Sequence, residues 1–188
     1  MEKFDAIIVG AGLAGLAAAH TLVREGAEVL VLERGDYAGA KNLTGGRLYL
    51  NPVRPLFPGL LEKAPLERGI VREEICLLGK KGSVTTSYDA RTGQAGPPQS
   101  ASVLRARFDR WLAKEVEQLG VPIVTKGAVE DLILENGRVK GIVVTGEEIG
   151  ADVVLACDGV LSLTAEKAGL RKPGSPGHYA VGIKEIVE

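Results

Sequence analysis

Hydrophobic residues are distributed along this chain in two different ways. Over DAIIVG (Asp5 to Gly10) and again over EVLVLE, which ends at Glu33, they run on without interruption and are rich in β-branched types. That pattern predicts short parallel strands buried on both faces. Between them an Ala-rich stretch from about Leu13 to Arg24 (LAGLAAAHTLVR) predicts a helix. Further on, RFDRWLAKEVEQLG places Phe108, Trp111, Leu112, Val116 and Leu119 on one face of an amphipathic helix stopped by Gly120. EEICLLGKKGSVTTSYD reads as two strands around a Gly/Lys turn, hence an antiparallel hairpin. The stretch from Val121 to Gly159 contains four or five short strands, with ENGR as a turn between two of them. RGDYAGAKNLTGGR is expected to be a loop, NPVRPLFPGLLEKAPLERG is too broken by proline for a long helix, and QAGPPQSAS is expected to be a linker. Alternation of strand and helix, interrupted by antiparallel strands at about 70 to 90 and followed by a three-strand meander at about 127 to 149, predicts an α/β domain with an antiparallel insertion.

The turn between the first strand and helix carries chemistry. Gly10, Gly12 and Gly15 stand at G-x-G-x-x-G spacing. In a nucleotide-binding βαβ unit the first glycine permits a tight turn and the second lets the backbone approach a pyrophosphate. The third lets the helix pack close to the sheet. The helix that follows points its N-terminal amides and positive dipole end at the phosphates, which makes Leu13 and Ala14 candidates beside the glycines. Glu33, an acid closing the second strand, can accept hydrogen bonds from both hydroxyls of an adenosine ribose. Strand, glycines, helix, second strand and acid occur in the order a dinucleotide site needs. Arg34, next to that acid, leaves room for some affinity toward a 2′-phosphate.

A rival reading comes from Ala6 to Val23, an uncharged run behind Met-Glu-Lys that could be a signal peptide or membrane helix. Three glycines in its first half weaken such a helix, and the residues before it are not basic. With 23 basic and 24 acidic residues, the chain has no general attraction for nucleic acid. Cys76 and Cys157 share no short motif and lie in apolar surroundings (EEICLLG, VVLACDG). Both are expected to be buried thiols in a reducing compartment, without disulfide or metal. His20 and His178 lie far apart in sequence and define no ligand set.

Three later segments give the chain a family likeness. RARFDRWL resembles the R-x-x-F-D-x-x-L motif of FAD-dependent oxidoreductases of the glutathione-reductase type, in the branch containing geranylgeranyl reductases and electron-transfer-flavoprotein:quinone oxidoreductases. The resemblance implies that Arg105 reaches the cofactor, and a guanidinium there could fork onto phosphate oxygens. ADVVLACDGVLS resembles the strand end that passes the flavin's pyrophosphate and ribityl chain, which implicates Asp158 and Gly159. KGAVEDLI resembles the strand that lays backbone against the adenine edge, at Val129. The loop YAGAKNLTGGRLY resembles the FixC family in particular, and implies that Lys41, Asn42 and Gly45 run under the flavin ring. APLERGIVREE and the closing AVGIKEIVE are also FixC-like, so the likeness covers essentially the whole chain.

The resemblance implies a Rossmann-like FAD/NAD(P)-binding domain with the start of a second, truncated domain. The division expected is residues 1–60 with 101–170 for FAD, and 61–100 with 171–188 for a partial substrate or cap domain. Relatives of this type are about twice as long, with a third FAD motif in the half not present here, which implies a natural truncation or a fragment. The cofactor implied is FAD, with no metal. The partners implied are electron-transfer flavoprotein and a quinone or ferredoxin-like protein, in the cytoplasm, with any membrane contact peripheral. Two other functions stay open at this point: a non-catalytic nucleotide-binding module, and an NAD(P)-dependent dehydrogenase. No general acid or base can be named.

Overall fold

A computed structural model of the chain describes residues 2–42, 45–90, 98–172 and 181–183. His178, most of the closing AVGIKEIVE and the first four residues of the expected linker QAGPPQSAS lie outside the described residues. In chain order the strands and helices begin with β1 (Lys3–Val9), α1 (Leu13–Arg24), β2 (Val29–Glu33), β3 (Gly45–Tyr49) and β4 (Arg68–Ile70). Then come β5 (Arg72–Leu78), β6 (Ser83–Asp89), β7 (Ser100–Leu104) and α2 (Arg105–Gln118). The last are β8 (Ile123–Thr125), β9 (Val129–Glu135), β10 (Arg138–Val144), β11 (Glu147–Ala156) and α3 (Leu163–Lys167). They fall into two compact units, residues 1–43 with 105–188, and residues 44–104. The breaks lie at 43/44 and 104/105, and β3 pairs with β7 along its whole length within the second unit.

The first unit is built on a six-stranded sheet in the order β8-β2-β1-β11-β10-β9. Its first four strands are parallel, and β11, β10 and β9 form the expected antiparallel meander. One strand serves both parts. Residues 147–150 of β11 pair with β10, and residues 150–156 pair with β1. At the changeover Gly141 faces Gly150 with φ +159°, and a Cβ on Gly141 would lie 2.1 Å from the Ile149 carbonyl oxygen. Only glycine fits that crossing.

Apolar runs in β1 and β2 are buried from two sides. Ile7, Leu30 and Leu32 pack with Leu132, Ile142 and Val144 of the meander. Ile8 points the other way, toward α1, where its Cγ2 would be 3.0 Å from a Cβ on Gly15. In α2, Phe108, Leu112 and Val116 are buried as expected, while Leu119 lies past the helix end and is exposed. Trp111 packs its ring against Phe108 at 5.2 Å. Gly120, with φ +90°, ends the helix.

The second unit contains a three-stranded antiparallel sheet, β3-β7-β4, around a small core of Leu50, Leu61 and Ala101. Two of its strands correct the sequence reading. Gly45 to Arg47 are expected in a loop and Ser100 to Ser102 in a linker, yet GGRLY and SASVL pair residue for residue from Gly45 with Leu104 to Tyr49 with Ser100. Their small residues carry little hydrophobic signal, and the ladder joins segments distant in sequence. The hairpin expected near 70 to 90 is β5 with β6, a two-stranded ribbon joined at Gly79 and Gly82. Cys76, expected to be buried, is exposed on this ribbon. Its apolar neighbours Ile75 and Leu77 are exposed as well, so the apolar surroundings that predicted burial do not form a core.

Candidate functional site

In the first unit, the C-terminal ends of β1, β2 and β11 open onto one cleft of about 360 Å³. This is where ligands bind in open α/β sheets, at the carboxyl ends of parallel strands. The floor comes from the glycine turn. Gly10 has φ +106°, donates its N–H to the Leu32 carbonyl, and sits so close to β11 that a Cβ would be 2.5 Å from the Cys157 carbonyl oxygen. Gly15 is tighter still, since its Cβ would stand 1.9 Å from the Gly10 carbonyl oxygen. These two glycines lock strand, turn and helix together.

Gly12 differs from both. A Cβ there would meet no atom within 4 Å, and the residue lines the cleft. It is also the N-cap of α1, and no side chain caps that end. The first amides of a 12-residue helix, at Leu13, Ala14 and Gly15, thus begin at a glycine facing open space. An uncapped N-terminus with room in front of it fits a phosphate.

Glu33 closes β2 on the cleft's edge. Its Oε2 accepts the Ala11 N–H at 3.0 Å and its Oε1 accepts the Gly35 N–H at 2.6 Å. The carboxylate therefore ties the glycine turn to the end of β2, a structural duty the sequence did not disclose. Each oxygen keeps a lone pair, so a ribose hydroxyl can still be accepted. Lys126 and Gly127 donate to the carbonyls of Gly35 and Glu33 at 3.0 and 3.1 Å, which sets Val129 on the same rim. Arg34, Lys41 and Asn42 also line the cleft, as do Asp158 and Gly159 at the end of β11. Asp158 Oδ2 accepts the Thr164 N–H at 2.8 Å, holding the turn that leads into α3.

Leu13, Ala14 and Gly15 stand at the start of α1 and are not among the residues that line the cleft. Two further expected residues stand apart from it. Gly45 opens β3, in the second unit. Arg105 does not line the cleft, and its fork is already engaged: Nε and Nη2 each donate to Asp109 at 2.9 Å. Its expected fork onto phosphate oxygens therefore has a competitor inside the protein. The sequence reading missed other lining residues, among them Gly39, Gly127, Cys157 and Leu161. Gly39 and Gly127 flank expected positions, and their glycine character was the available signal. Cys157 is half-buried, and burial first, then the Asp158 charge, pushes its thiol up from the ordinary range. Among the described residues no cluster of His, Cys, Asp and Glu could hold a metal, and no helix is long and apolar enough to cross a membrane.

Comparison with known proteins gives this geometry a family. Residues 3–188 match the FAD-binding domain family. Protein FixC of Escherichia coli O157:H7 is 46% identical over 187 residues, covering 100% of this chain and 44% of that protein. A probable electron transfer flavoprotein-quinone oxidoreductase, YdiS, of Escherichia coli K12 is 43% identical over 188 residues, covering 99% of this chain and 43% of that protein. The chain thus spans a little under half the length of these relatives. A geranylgeranyl bacteriochlorophyll reductase-like protein from Thermoplasma acidophilum has the same fold, with TM-score 0.77 and 23% identity. That match covers 91% of this chain and 43% of the other. FAD is the cofactor of this group, and an open glycine, an uncapped helix end and a terminal carboxylate suit its pyrophosphate and ribose. The chain belongs to the FAD-binding domain family, and it is similar along its whole length to FixC proteins.

Proposed function

We propose that this chain is the FAD-holding part of a FixC-type flavoprotein oxidoreductase, which takes electrons from an electron-transfer flavoprotein or a reduced substrate and passes them to a quinone or ferredoxin-like acceptor. The observation that carries this reading is the likeness to FixC and the quinone oxidoreductase along the whole chain, at 46% and 43% identity. Bound FAD supplies the redox chemistry, accepting a hydride or single electrons. The protein's part is to bind and orient. The α1 amides from Gly12 to Gly15 face the pyrophosphate, and Glu33 accepts from the adenosine ribose. Val129 backs the adenine edge. Asp158 and Gly159 lie along the ribityl side, with Lys41 and Asn42 toward the ring. Arg34 reaches outward from the ribose rim, and Arg105 supports the phosphate side from α2. A cytoplasmic setting, with membrane contact only at the periphery, goes with such partners.

The decisive experiment is to purify the chain and measure its bound flavin. Near-stoichiometric FAD, reduced anaerobically by a reduced electron-transfer flavoprotein, is the expected result. Colourless protein that cannot be reconstituted with FAD would overturn the reading, and NAD(P)H binding in its place would turn it toward a nicotinamide dehydrogenase. FAD that binds but is never reduced would point to a non-catalytic module.

A further inference from the structure

Asp109 has no part in the site described so far, yet its side chain is 0% exposed, one turn into α2. A carboxylate is costly to bury, and a buried ion pair adds little net stability compared with well-packed apolar residues. What such a pair fixes is geometry. Asp109 Oδ1 accepts from Arg105 Nε and Oδ2 from Arg105 Nη2, both at 2.9 Å, and Oδ2 also accepts from Asn42 Nδ2. One carboxylate thereby joins the start of α2 to the loop after β2.

Two more contacts join the same loop to the same helix. Gly39, with φ +85°, lies so close to α2 that a Cβ would come within 2.8 Å of the Asp109 Cβ. The Arg110 guanidinium lies 4.0 Å over the Tyr37 ring. Among the described residues the loop's own backbone bonds are short turns, Ala40 N–H to the Tyr37 carbonyl and Asn42 N–H to the Gly39 carbonyl, each 3.0 Å. Past its ties at Gly35 to Lys126 and Glu33, the loop is held against α2 at Tyr37, Gly39 and Asn42. Gly39, Lys41 and Asn42 form a wall of the cleft. The fork to Asp109 uses one edge of the Arg105 guanidinium and leaves the opposite N–H groups for another acceptor.

We propose that Asp109 is a positioning residue for the cofactor, holding Arg105 and Asn42 in the orientation in which they meet FAD without touching FAD itself. The proposal rests on the reading of Arg105 as a cofactor contact. It explains why the R-x-x-F-D segment carries both an arginine and an aspartate one turn apart: the acid orients the base.

The test is FAD titration of the full-length apoprotein, with visible circular dichroism of the bound flavin and thermal melting of the apoprotein. Asp109→Asn keeps the shape and an acceptor for Asn42 but removes the charge opposite Arg105. It is expected to bind FAD about tenfold to a hundredfold more weakly, with an altered flavin dichroism. Arg105→Met combined with Asp109→Leu replaces the pair by apolar groups and keeps the fold if the single change does not. That double variant is expected to bind FAD within about threefold of Asp109→Leu alone, because Arg105 has already lost its orientation there. Losses that instead add, or Asp109→Asn binding FAD within about twofold of the parent while Arg105→Met is weakened, overturn the role of Asp109. Should Arg105→Met bind FAD as the parent does, the underlying reading of Arg105 falls, and the proposal with it.

Discussion

The β1–β2 pair and the β5–β6 ribbon both carry unbroken apolar runs, AIIV and VLVL in one and ICLL in the other, yet Ile7 is 0% and Leu32 2% exposed while Ile75 is 71% and Leu78 83% exposed. What differs is the layers. β1 and β2 have α1 on one face and the meander on the other, so both sets of alternating side chains are enclosed. The ribbon is a two-stranded sheet, and among the described residues its strands pair with each other alone. Hydrophobic sequence identifies a strand in both places, but burial depends on which segments stack against it.

That contrast can be broken or sharpened by substitution. The largest effect is expected at Gly15, where a methyl would overlap the Gly10 carbonyl at 1.9 Å. Gly15→Ala should abolish folding of the first unit, seen as loss of soluble protein and of a cooperative melt; a stable, FAD-binding Gly15→Ala protein would mean the turn is not packed as described. Gly12→Ala is its counterpart. With nothing within 4 Å of the new methyl, the apoprotein should melt normally while FAD affinity falls about a hundredfold, roughly 2.7 kcal/mol, because the methyl occupies the cofactor's space. Equal losses of apoprotein stability and affinity would contradict the distinction between the two glycines.

Glu33→Ala should come next, weakening FAD by about 1–3 kcal/mol through lost hydrogen bonds to an ionised group. Since Glu33 also holds the Ala11 and Gly35 amides, the apoprotein melt should fall too, and an unchanged melt would remove that second duty. The two thiols report on the two regions directly. Near neutral pH, Cys76 should alkylate at least about tenfold faster than Cys157, because thiolate is the reactive form and burial raises the Cys157 thiol. The gap should narrow as pH rises toward the Cys157 value, and FAD should protect Cys157 alone. Smallest of all, Leu77→Lys on the ribbon should shift stability by no more than about 0.5 kcal/mol by urea melting, as for other exposed sites. A large loss there would show that the ribbon's apolar face is covered.

Much of the first unit could be read from residues near one another in sequence. The glycine spacing, the Ala-rich helix and Glu33 lie within one βαβ unit, where local pattern and local geometry coincide. The meander was legible for the same reason, since its turns at ENGR and TG join adjacent strands. What escaped the sequence depends on distant partners. GGRLY becomes a strand because Ser100–Leu104 lies beside it, and Cys76 is exposed because no layer among the described residues covers the ribbon. Asp109 reads as a polar interruption in a helix motif until Asn42 and Arg105 are seen to share it. The Glu33 bridge to Ala11 was hidden in the same way, because a carboxylate at a strand end signals a ligand more readily than a tie to the neighbouring turn.

The pairing of β1 with residues 150–156 of β11 sets a clock on synthesis. Gly10 is fitted against the Cys157 carbonyl, so the N-terminal turn, made first, cannot take its final form until residue 157 has left the ribosome. At about 5–20 residues per second, the nascent strand Lys3–Val9 waits on the order of ten seconds or more with one edge unpaired. Loop closure across that separation is slow, and an apolar edge exposed meanwhile is open to aggregation. Expression should therefore respond to temperature and chaperone supply more sharply than the finished protein's stability would imply.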